Sequence, residues 1–185
     1  GDIYVNAAGD GIDSNNDLLI NGGNIMVDGP TNDGNGALDH NGSAVITGGT
    51  IVASGSSGML ENFDSDSTQN VLTVFFTSTL AAKSEVSVKD SQGNEVIAYQ
   101  TDKQSKCAII SCPEIRQGET YTVYVNGEEV RKGYAATLEI EGSGKVVETL
   151  SVVCRVLKGT DSKILGWYWF CVSKFEGFLP KACWQ

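Results

Sequence analysis

The first 62 residues match one another at fixed offsets, and this limits the chain to a short list of folds. Gly1-Asp2-Ile3-Tyr4-Val5 returns as Gly23-Asn24-Ile25-Met26-Val27 and again as Gly49-Thr50-Ile51-Val52-Ala53. Gly11-Ile12-Asp13 returns as Ala37-Leu38-Asp39 and as Met59-Leu60-Glu61. Leu19-Ile20-Asn21-Gly22-Gly23 returns as Val45-Ile46-Thr47-Gly48-Gly49. The offset is 22 where nothing intervenes, and 26 across the extra residues around Pro30 to Asp33. A period in the range of about 20 to 50 residues is the signature of stacked repeat architectures. Each unit holds three short apolar strands separated by Gly and Asn, with no helix signal, so the expected fold is all-β: a parallel β-helix over residues 1–62. A leucine-rich repeat is the runner-up, but its leucine spacing is absent.

Alternation along each strand assigns the faces. Ile3, Ile25 and Ile51 are expected to stack inside, as are Val5, Val27 and Ala53. Ile12, Leu38 and Leu60 form another inner column. Gly and Asn supply the left-handed corners where the chain turns from one sheet to the next.

Charge follows the same division. All 13 Lys and Arg residues lie at Lys83 or beyond, and the first 82 residues carry ten carboxylates and no basic side chain. The formal net charge of −10 therefore belongs to that segment. If Ile12, Leu38 and Leu60 point inward, Asp13, Asp39 and Glu61 point outward, forming a ladder with rungs about 4.8 Å apart. Like charges directly opposite one another are destabilising. Either some protonate, or a cation lies among them. Ca²⁺ takes carboxylate and amide oxygens in irregular geometry and suits the set better than Mg²⁺. Asp10, Asp28, Asp33 and Asn35 in the adjoining turns are further candidate ligands. The alternative is a solvated acidic face serving solubility.

The acidic balance argues against nucleic acid, whose phosphates need Lys and Arg, and against an anionic membrane surface. The apolar run Ile164 to Val172 is too short to span a bilayer, so no membrane insertion is expected. The start at Gly1 without Met reads as a mature or excised fragment. Five cysteines without a CxxC pair argue against zinc, and leave open whether they form disulfides or stay buried thiols.

Glu61 to Asn70 reads as a connector. Val71 to Phe76, Glu85 to Lys89, Glu95 to Tyr99, Cys107 to Ser111 and Tyr121 to Val125 read as strands. The turn signals are Asp90 to Asn94 and Asn126-Gly127. They predict an antiparallel β cap over residues 71–128, closing an end that would otherwise expose core and strand edges. Residues 129–185 read as a β-rich tail of unknown role, with strands at Ala135 to Ile140 and Lys145 to Leu157. Within it, Trp167 and Trp169 share one face of a strand and are candidates for stacking on sugar rings. Core or edge packing is the alternative.

The runs GDGIDSN, NGALDHNG, SAVITGGTIVASGSSGM and GETYTVYVNG, in that order, resemble a family of secreted bacterial carbohydrate-binding proteins. The resemblance covers residues 1 to about 128 and corresponds to the C-terminal part of the family domain, which has more coils upstream. It implies a calcium-containing right-handed β-helix, similar to polysaccharide lyases, at the cell exterior. It also implies polysaccharide of pectin or cellulose type as the partner. The expected function is non-catalytic, calcium-dependent polysaccharide binding. The enzymatic rival is a lyase or hydrolase. Asp13 and Asp39 fit paired-carboxylate hydrolysis, but the repeating segment lacks the Lys or Arg base that similar lyases use for elimination. A structural, adhesin-like surface solenoid is the third reading. His40, the sole histidine, follows Asp39 directly and reads as a polar corner residue. Neither GxSxG nor a P-loop lysine is present.

Overall fold

The computed structural model describes residues 1–134 and three short strands beyond them, with side chains described for residues 1–129. Gly1–Arg155 cluster as one unit. Trp167 and Trp169 lie outside the described residues, as does most of the expected tail.

The protein is all-β, with no helix among the described residues. The strands are β1 Asp2–Asn6, β2 Ile12–Ser14, β3 Leu18–Ile20, β4 Asn24–Asp28, β5 Leu38–His40, β6 Ala44–Ile46 and β7 Thr50–Gly55. They continue as β8 Val71–Leu80, β9 Glu85–Lys89, β10 Glu95–Gln100, β11 Ser105–Ser111, β12 Thr120–Val125 and β13 Glu128–Tyr134. Three short strands follow: β14 Glu139–Glu141, β15 Lys145–Val147 and β16 Val152–Val153.

The first seven strands pair in parallel at the offsets of the sequence matches. Ile3 lies beside Ile25 and Ile25 beside Ile51, so β1, β4 and β7 stand in register. Ile12 pairs with Leu38 between β2 and β5, and Ile20 with Ile46 between β3 and β6. Their inward side chains share one core with Val27, Leu38, Ala44, Ala53, Phe63 and Ile109. Burial deepens along the column: Ile3 is 53% exposed, Ile25 9% and Ile51 0%. Gly23 and Gly49 occupy equivalent corners with φ of 92° and 93°. A Cβ on Gly23 would come within 2.7 Å of the Gly1 carbonyl, so both the left-handed backbone and the close approach require glycine there.

The expected third rung at Met59 to Glu61 does not form a strand. Side chains and backbone amides of residues 61–69 end the ladder instead, with the Asp64 N–H bonded to the Ala44 carbonyl and the Thr68 and Gln69 N–H groups to the Ile46 carbonyl. The Glu61 carboxylate accepts the His40 N–H at 2.7 Å, Asp64 accepts that of Ala44 at 2.9 Å, and the Ser67 hydroxyl accepts that of Ile46 at 3.0 Å. Gln69 donates to the Gly49 carbonyl at 2.9 Å and to the Ser111 hydroxyl at 2.8 Å, tying this edge to β11. Backbone groups that a further strand would have paired are thus satisfied locally.

Beyond β7 the same sheet changes direction. β11 pairs antiparallel with β7 and with β8, giving the order β1-β4-β7-β11-β8-β16. A second sheet, β10-β9-β12-β13, is antiparallel throughout. Val86, Val88, Tyr121 and Val123 from it pack with Val52, Leu72, Val74, Ala108 and Ile110 of the first. The first sheet therefore buries one face against the β2/β5 and β3/β6 pairs and the other against the second sheet. The antiparallel strand β11 extends the sheet beyond β7, and β9 and β12 cover the outer face of β7. Asn126 and Gly127 have φ of 50° and 79°, the left-handed pair that a two-residue hairpin turn between β12 and β13 requires. Cys107 and Cys112 are free and buried. Burial pushes their thiols up to about 12 and about 11.

Candidate functional site

The β2–β5 pair carries the carboxylates singled out by the alternation. Ile12 and Leu38 turn inward, the latter fully buried, so Asp13 and Asp39, in direct register, turn outward. Desolvation at the half-buried Asp39, then the charges of Glu61, Asp10 and Asp13, raise its carboxyl above the usual range, and His40 opposes them. Four carboxylates thus share one electrostatic neighbourhood. Asp10 is anchored by the Gly36 N–H at 2.8 Å, and Glu61 by the His40 N–H. Each keeps its second oxygen outside those bonds.

His40 closes the cluster on one side. Its Nδ1 lies 2.9 Å from the Gly42 carbonyl, and its Nε2 lies 3.3 Å from the Asn62 carbonyl and 3.5 Å from Glu61. It is the last residue of β5 rather than part of the turn that follows, and it holds the 61–62 segment against that strand.

The weaker ligand candidates go elsewhere. Asp28 is 1% exposed. It accepts from the Tyr4 hydroxyl at 2.9 Å, the Asp102 N–H at 3.1 Å and the Ser54 hydroxyl at 3.4 Å. Asp33 is paired with Lys106 at 2.9 Å. Asn35 donates to Asn32 at 2.7 Å, and its backbone carbonyl accepts from Ser56. The structure places Asp10, Asp13 and Glu61 within electrostatic reach of Asp39 and leaves Asp28 and Asp33 with protein partners.

Those partners are what sequence reasoning missed. Lys103 donates to the carbonyls of Ala7 and Gly29. Lys83 pairs with Asp102, whose Oδ2 lies 3.0 Å from the Tyr4 hydroxyl. The cations absent from the first 82 residues arrive from the β8–β9 turn, which carries Lys83, and from the β10–β11 connection and β11, which carry Lys103 and Lys106. No local pattern announces the contacts of Lys103 and Lys106, because each joins residues 73 or more positions apart.

The donor set is chemically suited to a hard cation: oxygen ligands, anionic and mutually repelling. It is not a ready-made shell, since among the described residues no three His, Cys, Asp or Glu side chains converge as a metal-holding group. Comparison with known protein families, with curated proteins and with solved structures finds no match to this chain.

Proposed function

We propose that this chain is a non-catalytic, calcium-dependent polysaccharide-binding module acting at the cell exterior, built on the last coils of a right-handed parallel β-helix. The single observation that carries the reading is the outward Asp13–Asp39 pair, in register and within the field of Asp10 and Glu61. Such a face favours a divalent cation over bare solvent, because the ion removes repulsion that the fold itself imposes. Asp13 and Asp39 would hold it, with Asp10 and Glu61 at its flanks. When bound, Ca²⁺ supplies positive charge and coordination positions that glycan carboxylates or hydroxyls can enter. Pectin-type uronates are the first ligand class and cellulose-type glucan the second.

The parallel registers of β1-β4-β7, β2-β5 and β3-β6 support the β-helix reading, as does the enclosed core between them. Support for carbohydrate as the ligand comes from the sequence resemblance. A second reading, elimination by a lyase, draws on Lys103 and Lys106, which bring ammonium groups to turns of residues 7–33. Lys103 is held by the carbonyls of Ala7 and Gly29 and Lys106 by Asp33, so neither is free to approach a substrate proton as a base.

The test is a thermal melt with millimolar Ca²⁺ or EDTA, followed by pull-down on insoluble pectin and cellulose with absorbance monitoring for unsaturated uronides. A ligand that binds only the folded state raises Tm by mass action. The rise is expected for the wild type and lost in Asp13→Ala and Asp39→Ala. Identical melts in Ca²⁺ and EDTA refute the metal. Rapid release of unsaturated product moves the chain to the lyases. Failure to bind either polymer, with the fold intact, leaves the structural-solenoid reading.

A further inference from the structure

Away from the acidic pair, β1 presents Asp2, Tyr4 and Asn6 on its outward face. Tyr4 is 55% exposed, a large aromatic surface left in water. Its ring is nevertheless tethered. The hydroxyl lies 2.9 Å from Asp28 Oδ2 and 3.0 Å from Asp102 Oδ2, and Asn6 Nδ2 donates to it at 3.2 Å. The hydrogen bond from Asn6 works against the shift, but burial of the hydroxyl and the two carboxylates hold the phenol up at about 12.

A phenol has one proton, and two carboxylates face it. Asp28 is almost fully buried and has the greater need of a donor. Tyr4 therefore serves Asp28. That leaves Asp102 Oδ2 beside the phenol oxygen without a proton from it, while Lys83 satisfies Asp102 Oδ1. Asp102 is exposed, so the vacant acceptor position opens to solvent. An immobilised ring, an open carboxylate acceptor and a neighbouring amide suit a molecule with one apolar face and several hydroxyl donors. A pyranose has both. A uronate is disfavoured, because its carboxylate would approach Asp28 and Asp102.

From this we infer that Tyr4 is the stacking platform of a subsite for a neutral sugar ring, with Asp102 and Asn6 taking its hydroxyls. The inference rests on the polysaccharide-binding reading and adds a second place on the molecule where a glycan docks. It divides the ligand classes: uronate at Asp13 and Asp39 through calcium, neutral glucan at Tyr4 without it.

The experiment follows ring-¹³C-labelled tyrosine by NMR during titration with cellohexaose and, separately, with an oligogalacturonide, each in EDTA and in Ca²⁺. Cellohexaose is expected to shift the Tyr4 ring signals to saturation in either medium. Tyr4→Ala should weaken binding roughly tenfold. Tyr4→Phe keeps the ring but loses the tether. It should bind with intermediate affinity, and the unmoved signals of the other tyrosines report an intact fold. If cellohexaose binds without moving Tyr4, or if only oligogalacturonide binds, the subsite is refuted and polysaccharide binding stands. If neither oligosaccharide binds, and neither insoluble polymer is retained, both inferences fall together.

Discussion

Residues 1–62 and residues 71–129 are both β-structure, yet they are held together in opposite ways. In the first segment every strand pairs in parallel with a partner 22 or 26 positions away. Side chains at equivalent positions therefore stack on their own kind, apolar on apolar and carboxylate on carboxylate. In the second segment strands pair antiparallel at many separations, and the charges are mixed. Parallel stacking repeats whatever it is given: it concentrates a core efficiently, and it concentrates like charge just as efficiently. The antiparallel segment supplies the missing lysines and a second apolar layer. The two meet at β7, whose inward and outward faces are both buried.

The largest expected effect tests how burial is graded along the parallel column. Ile51→Ala empties a fully enclosed position and is expected to cost about 2–5 kcal/mol. Ile3→Ala removes the same atoms from an exposed rung and should cost under about 1 kcal/mol. Urea melts of the two variants measure the difference. Equal losses would mean that the column is not graded as described.

A smaller effect tests how the ladder ends. Ser67 is fully buried and its hydroxyl accepts the Ile46 N–H. Ser67→Ala leaves that amide without its acceptor, at about 1–3 kcal/mol. The Ile46 amide should then exchange its hydrogen faster than its neighbours in β6. Unchanged exchange and unchanged stability would show that the edge is closed by something other than these side chains.

The smallest effect concerns charge. Asp39's carboxyl is raised in the folded protein, so the folded state holds that proton to higher pH than the unfolded chain does. Its contribution to stability is therefore most favourable at acid pH. It declines as pH rises from the unfolded carboxylate range through the folded one. Asp39→Asn removes the penalty. In EDTA, Tm should rise modestly at neutral pH, and the gain should shrink as the pH is lowered. A variant destabilised at neutral pH in EDTA would show that Asp39 is held by an attraction instead.

Much of this was legible in the amino-acid sequence by itself. The offsets of 22 and 26 determined which strands pair in parallel and in what register, because matching residues must stack to share one core. Alternation then determined that Asp13 and Asp39 face outward together, and Asn126-Gly127 marked a hairpin whose backbone only such residues adopt cheaply. Only the tertiary structure decided what happens at the edges and across the sheets. It turned the third match at Met59 to Glu61 into a side-chain closure rather than a rung, since one carboxylate can satisfy an amide without a strand. Asp28 and Asp33 were withdrawn from the acidic face by Tyr4 on the paired strand β1, and by Asp102 and Lys106, which lie 73 or more positions away in the chain. It also left Tyr4 exposed and tethered. A periodic pattern describes contacts between like positions, and these contacts join positions that no period relates.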